Sequence, residues 1–233
     1  MTMLTRVLEP ELMDTAEEAE EYDRIDHRLV NDRFVADFIA AVDAHRGGAV
    51  LRRPLVVDVG SGTARVPVAL CGAWSHCVVM AVDMAAEMLR LGVAHVRHAQ
   101  LASRVLCPQA NARRLPFRDG AFPFVISNSL VHHLPDPASA LSEMCRVAEP
   151  GALLFVRDLV RPVTTAAMEQ LVSTYAAYET PVQRGLFAAS LCAALTLDEM
   201  RVMVEPLPLE RVSVVASSDR HWTLTATRVD RGL

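Results

Sequence analysis

Lysine is absent from this chain of 233 residues, and arginine carries all of its side-chain positive charge apart from histidine. A Schiff-base lysine and the phosphate-binding lysine of a P-loop are thereby excluded. Aromatic residues are sparse at 5%, and the net charge is -5 with no dense basic run. A nucleic-acid surface needs a basic approach face with exposed aromatics, so the composition argues against such a partner. No apolar run approaches the length of a membrane span, and no membrane partner is expected. The opening residues, MTMLTRVLEPELMDT, lack the long apolar stretch of a signal peptide. The five cysteines include no C-x-x-C pair. They read as buried thiols in a reducing compartment, which makes a cytoplasmic location the expectation. No metal is expected either. His95 and His98 stand three apart on one predicted helix, but no carboxylate or cysteine lies at a complementary spacing.

What is present is a core. Hydrophobic residues make up 52% of the chain, enough for one α/β domain over residues 1–233. The chain is organised around Pro54–Arg65, PLVVDVGSGTAR. Leu55, Val56, Val57 and Val59 form an apolar run that reads as a buried strand. Asp58 interrupts it just before Gly60-Ser61-Gly62, and a helix is predicted from Thr63. A strand, a glycine turn and a helix start make a place for a ligand to approach the main chain. A dinucleotide fingerprint requires a third glycine where Arg65 stands. A carboxylate at Asp58 also suits a cationic ligand better than a pyrophosphate. CVVMAV, Cys77–Val82, is the second buried strand, closed by Asp83. An acid at that strand tip can accept both ribose hydroxyl hydrogens of an adenosine. Met84 follows and can lie against an adenine ring; a core methionine is the alternative.

Acidic residues crowd positions 10–26, with Tyr22, Ile25 and His27 interleaved. A helix is predicted from Asn31, with Phe34, Val35, Phe38, Ile39 and Val42 at helical spacing, ending at Gly47-Gly48. Further on, Ala85–Ser103 reads as a long helix, Val105–Cys107 as a short strand and Phe122–Ser127 as a fourth. Asn128–Pro137, NSLVHHLPDP, leaves the C-terminal end of that strand, where open α/β sheets bind ligands. Ser127, Asn128, Ser129, His132 and His133 are well placed there, Ser127 for a cofactor and Asn128 and Ser129 for a substrate. Adjacent helical residues diverge by about 100°, so one histidine is expected to face substrate while the other packs. Asp136-Pro137 is a helix start. Asp158 falls at the tip of a fifth strand. Residues 160–197 then break the strand–helix rhythm with two helices around Pro181, too long for an ordinary connection. Tyr175, Glu179 and Gln183 are the candidate substrate contacts of this insertion, with surface or packing roles as the alternative. Thr196–Glu199 is a capping box, and Leu209–Ala216 with Trp222–Arg228 form a terminal antiparallel pair.

Taken together, Asp58 with Gly60 and Gly62, Asp83, and the LPF…FVIS…HHLPDP block resemble the class I S-adenosylmethionine-dependent methyltransferases, nearest their small-molecule UbiE-like group. The resemblance implies a Rossmann-like, seven-stranded, mostly parallel sheet with helices on both faces. It implies S-adenosylmethionine as cofactor, S-adenosylhomocysteine as product and a small-molecule methyl acceptor. Asp58, Gly60, Ser61, Gly62, Asp83, Met84, Asn111, Ala112, Ser127 and Tyr22 are then the cofactor contacts. Asn111 stands where the family commonly has Asp. Residues 1–48 are expected to form a helical lid together with the 160–197 insertion. A base is needed only for a nucleophile that must lose a proton, and His133, His132, Asp158 and His27 are the candidates. A nucleic-acid methyltransferase, a cofactor-binding protein without turnover, and a different use of the same cofactor remain as other readings. The acceptor, the methylated atom and the oligomeric state are not legible.

Overall fold

The computed structural model describes residues 4–9, 14–47 and 52–230. The central sheet has seven strands: β1 (Leu55–Val59), β2 (Val78–Val82), β3 (Val105–Leu106), β4 (Phe122–Asn128), β5 (Ala148–Leu159), β6 (Leu209–Ala216) and β7 (His221–Arg228). Their spatial order is β3-β2-β1-β4-β5-β7-β6. The first five are parallel, and β7 joins β5 and β6 antiparallel. The strand order reverses between β1 and β4, and that reversal opens a crevice above the C-terminal strand ends. The Rossmann-like expectation holds.

Eight helices accompany the described strands: α1 (Ala16–Arg24), α2 (Arg28–Arg46), α3 (Arg65–Ala73), α4 (Ala86–His98), α5 (Pro137–Val147), α6 (Thr165–Tyr175), α7 (Pro181–Ala193) and α8 (Leu197–Val204). Phe34 and Phe38 of α2 are fully buried against Phe124 and Phe155, with ring centroids 5.2–6.0 Å apart. On the other face Leu141 and Met144 of α5 and Met200 of α8 bury against Val125, Leu154 and Trp222. Both sheet faces are thus covered, which is why β1 and β4 are apolar almost throughout rather than alternating.

Several local readings shift in the structure. Helix α2 begins at Arg28, three residues before Asn31, because His27 takes the N-cap position. It ends at Gly47 in the left-handed conformation, as its sequence requires; Gly48 lies outside the described residues. Helix α4 stops at His98 rather than running to Ser103, because Gln100 turns to φ +58° and sends Leu101 back into the core. Pro181 starts α7 at N1, with Thr180 capping it, rather than merely separating two helices. Helix α3 begins at Arg65, because Ala64 is itself left-handed at φ +56°.

Candidate active site

The turn after β1 sets the site. Gly60 has φ +77°, and a Cβ there would stand 2.7 Å from the Leu130 side chain. Only glycine satisfies both the conformation and the approach. The N–H groups of Gly60 and Ser61 both donate to Val82 O, at 2.8 and 2.9 Å. Gly62 N–H donates to Asp83 Oδ2 at 2.7 Å, and Ala85 N–H to Asp83 Oδ1 at 2.9 Å. The donors that a phosphate would need are therefore used inside the turn. What the crevice offers instead is two carboxylates, Asp58 and Asp83.

Tyr22, His27, Asn31, Asp58, Gly60, Ser61, Gly62, Asp83, Asn128, Ser129, Leu130 and His133 surround one cavity above the turn. Four buried side-chain atoms on this wall lack a hydrogen-bond partner: His27 Nε2, Asp58 Oδ1, Ser61 Oγ and Asn128 Oδ1. Buried polar atoms are almost always paired, so a wall with four unpaired ones is shaped for a polar ligand. Burial, reinforced by the nearby Asp83, pushes the Asp58 carboxyl up to about 8. Burial also raises Asp83, against the N–H bonds from Ala85 and Gly62. Burial lowers His27, which keeps its ring neutral and an electron pair available.

Helix α1 closes one side. Ala19 packs on Ala85 and Met88, and Asp14 Oδ1 accepts from Ala86 N–H at 2.9 Å. Asp23 binds Arg65 at 3.0 Å and His95 Nε2 at 3.1 Å. His95 Nδ1 lies 2.9 Å from Thr63 O, so this histidine ties α4 and α1 to the turn.

The paired histidines do divide their work. Both lie in a 3-10 turn, Val131–His133. His133 reaches the cavity wall, whereas His132 is buried behind it. His132 Nδ1 meets Asp158 Oδ1 at 2.5 Å, and Asp158 Oδ2 accepts from His132 N–H at 3.0 Å. Burial opposes charge on both groups, but each outweighs it for the other: His132 is held above the usual histidine value and Asp158 below the usual carboxylate range.

Other sequence candidates stand away from this wall. Ser127 is buried and donates to Val59 O at 2.7 Å. Met84 is exposed near the β2 tip, and Asn111 Oδ1 accepts from Arg113 N–H at 2.8 Å in the loop that also carries Ala112. Asp158 touches His132 and the backbone rather than the cavity. Tyr175 donates to Asp219 Oδ2 at 2.5 Å, Gln183 closes the capping box of α7, and Glu179 lies in the turn before that helix. The insertion packs its apolar residues, Leu191 among them, on Leu159, and none of these three side chains lines the cavity.

Sequence reasoning missed Glu9. An N-terminal strap brings it in: Leu4 N–H donates to Val163 O at 2.9 Å, and Val7 N–H to Cys192 O at 3.1 Å. Arg6 Nε donates to Ala193 O at 2.7 Å. Glu9 Oε1 then lies 2.9 Å from His133 Nδ1 and 3.5 Å from His132 Nε2. A single glutamate more than a hundred residues from its partners carries no local signal.

Residues 57–156 match the family described as a methyltransferase domain. A demethylmenaquinone methyltransferase of Lactiplantibacillus plantarum is 33% identical over 159 residues, taking in 65% of this chain and 62% of that protein. One from Anoxybacillus flavithermus is 30% identical over 176 residues, taking in 74% of this chain and 71% of that protein. The chain therefore spans less than two thirds of the length of the first of these relatives. A crystal structure of an S-adenosylmethionine-dependent methyltransferase from Aquifex aeolicus matches over 92% of this chain and 99% of its own, with a TM-score of 0.64 at 19% identity. At that identity the likeness is one of fold.

Proposed function

The chain belongs to the class I S-adenosylmethionine-dependent methyltransferases, in the UbiE-like group, and from that premise we propose that it transfers the methyl group of S-adenosylmethionine to a small molecule. The observation that carries this is the cavity wall with its unpaired Asp58, Ser61 and Asn128 atoms beside Asp83. These residues fit the cofactor. Asp58 would hold a cationic amino group, Asp83 would accept from ribose hydroxyls, and Ser61 and Asn128 would supply further polar contacts. When bound, the cofactor supplies an electrophilic methyl on a sulfonium, so the protein's part is to position the acceptor and exclude water.

His27 is the base for an acceptor that must lose a proton. Its Nε2 is buried on the cavity wall without a partner, and its ring is kept neutral. The names of the relatives put demethylmenaquinone first among acceptors to try. Incubation of the protein with S-adenosylmethionine and the reduced form of that quinone is expected to yield S-adenosylhomocysteine and a methylated ring, read by mass spectrometry. His27→Gln is expected to lower kcat by about 100-fold or more, with cofactor affinity little changed. Tight cofactor binding with no S-adenosylhomocysteine from this acceptor or from a metabolite extract would favour a binding protein without turnover.

Cofactor affinity is expected to depend on pH through Asp58. Its carboxyl, at about 8, is mostly protonated at neutral pH, and holding a cation requires the carboxylate. Binding therefore expels a proton. Affinity should rise up to about tenfold per pH unit between pH 6 and 8 and then level off. Calorimetry in buffers of different ionisation enthalpy should show close to one proton released at pH 7, and Asp58→Asn should flatten the profile.

Helix α1 and the start of α2 act as the lid. Tyr22, His27 and Asn31 all stand on the cavity wall, and the bonds of Asp14 and Asp23 are few enough to open. S-adenosylhomocysteine is expected to slow amide exchange across Tyr22–His27. The insertion is assigned no part in this roof, so exchange at Tyr175–Arg184 should stay unchanged.

A further inference from the structure

We propose that Glu9, His132 and His133 form a binding site for a divalent transition-metal ion of the zinc class, at the edge of the cofactor cavity. One donor atom from each of the three lies within 4.8 Å of the other two. Glu9 Oε1 is 2.9 Å from His133 Nδ1 and 3.5 Å from His132 Nε2. A four-coordinate ion with bonds of about 2.0–2.1 Å holds its ligands about 3.4 Å apart. The two glutamate contacts fall either side of that spacing, and the two histidine atoms lie within 4.8 Å of each other.

The hydrogen bonding around the trio points the same way. His132 Nδ1 lies 2.5 Å from Asp158 Oδ1, which leaves Nε2 facing Glu9. Nε2 and Glu9 Oε1 face each other 3.5 Å apart, close to the separation of two ligands on one such ion. That is longer than a normal hydrogen bond, so neither atom is tightly committed to the other. A carboxylate holding the far nitrogen of a ligand histidine is the usual support of a metal site, because it fixes the tautomer and the ring. Glu9 is itself steadied by Ser190 Oγ at 3.2 Å. The carboxylates of Glu9 and Asp158 together balance a charge of +2. Two imidazoles and one carboxylate suit zinc, ferrous iron or manganese, whereas magnesium and calcium prefer all-oxygen sets.

The position gives the ion a use. His133 also lines the cavity. Three protein ligands leave a coordination position for an acceptor oxygen, whose acidity the ion would raise. This use rests on the methyl-transfer reading; the metal site itself does not.

The test is metal binding by the full chain, with neither cofactor nor acceptor present. After treatment with a chelator, the protein is titrated with Zn²⁺ against a colorimetric competitor, and separately with Co²⁺. One ion per chain is expected, with the visible absorption of four-coordinate cobalt bearing imidazole ligands. Glu9→Gln and His133→Asn should each weaken binding by roughly 100-fold, and Asp158→Asn by about 10- to 100-fold. His98→Asn, on the exposed end of α4, should leave it unchanged. A flat cobalt spectrum in the unaltered protein would overturn the proposal without any variant. So would a zinc affinity that Glu9→Gln and His133→Asn leave intact. Circular dichroism and urea denaturation of each variant report separately that it is folded.

Discussion

Asp83→Ala is expected to weaken cofactor binding by at least about 100-fold. Two charge-assisted hydrogen bonds to a ribose contribute roughly 1.5–3 kcal/mol each, so their joint loss costs about 3 kcal/mol or more. The structure adds a second reason. Asp83 is also the acceptor for Gly62 N–H and Ala85 N–H, so the substitution frees the glycine turn as well as the ribose. Asp83→Asn keeps one carbonyl oxygen and is expected to cost less, on the order of tenfold. Removing the Asp83 charge should also let Asp58 ionise more readily, since Asp83 adds to the burial that raises it. The pH profile of the remaining affinity should therefore move to lower pH in Asp83→Ala. Calorimetric titration measures both effects. A folded Asp83→Ala protein with unchanged affinity would remove Asp83 from the site.

Asp158→Ala is expected to destabilise the fold by about 3–5 kcal/mol. Asp158 is fully buried and accepts from His132 Nδ1, His132 N–H and Leu159 N–H. Alanine leaves those three buried donors without their acceptor. Folded domains are stable by only about 5–15 kcal/mol, so soluble yield should fall as well. The loss should be strongly non-additive with that at His132. Replacing both, as His132→Phe with Asp158→Leu, should recover part of the stability, because an apolar pair needs no partners. Urea denaturation of the two single variants and the double variant measures the coupling. A cost below about 1 kcal/mol for Asp158→Ala would mean that water or a neighbour replaces the carboxylate.

The part of the cavity that we propose holds the cofactor was legible because its residues are close in sequence. Asp58, Gly60 and Gly62 lie within five positions, and Asp83 closes the next strand. Backbone conformation and strand period tie such residues together before any packing is known. The sheet was legible for the same reason: buried parallel strands announce themselves as apolar runs, and Asp136-Pro137 and Thr196–Glu199 cap their helices through contacts three residues away. Ala64 shows the limit of local reading. Its φ is left-handed, and a Cβ on Gly92 would stand 3.1 Å from the Ala64 Cβ, so the tight turn depends on a glycine in a helix 28 positions on.

The surroundings of His132 and His133 were not legible in this way. The sequence by itself determined the strand–turn–helix unit, the two acids at the strand tips, the helix caps and the order of elements. The tertiary structure decided which histidine faces the cavity, that Asp158 binds His132 rather than lining the cavity, and that Tyr175, Glu179 and Gln183 stand off its wall. It also decided that Glu9 meets His132 and His133. These outcomes depend on contacts between separate segments, 26 residues apart for His132 and Asp158 and more than a hundred for Glu9, or on which face of the insertion buries its apolar side. Local periodicity and capping carry no information about either, because the free energy that selects them comes from packing the whole chain.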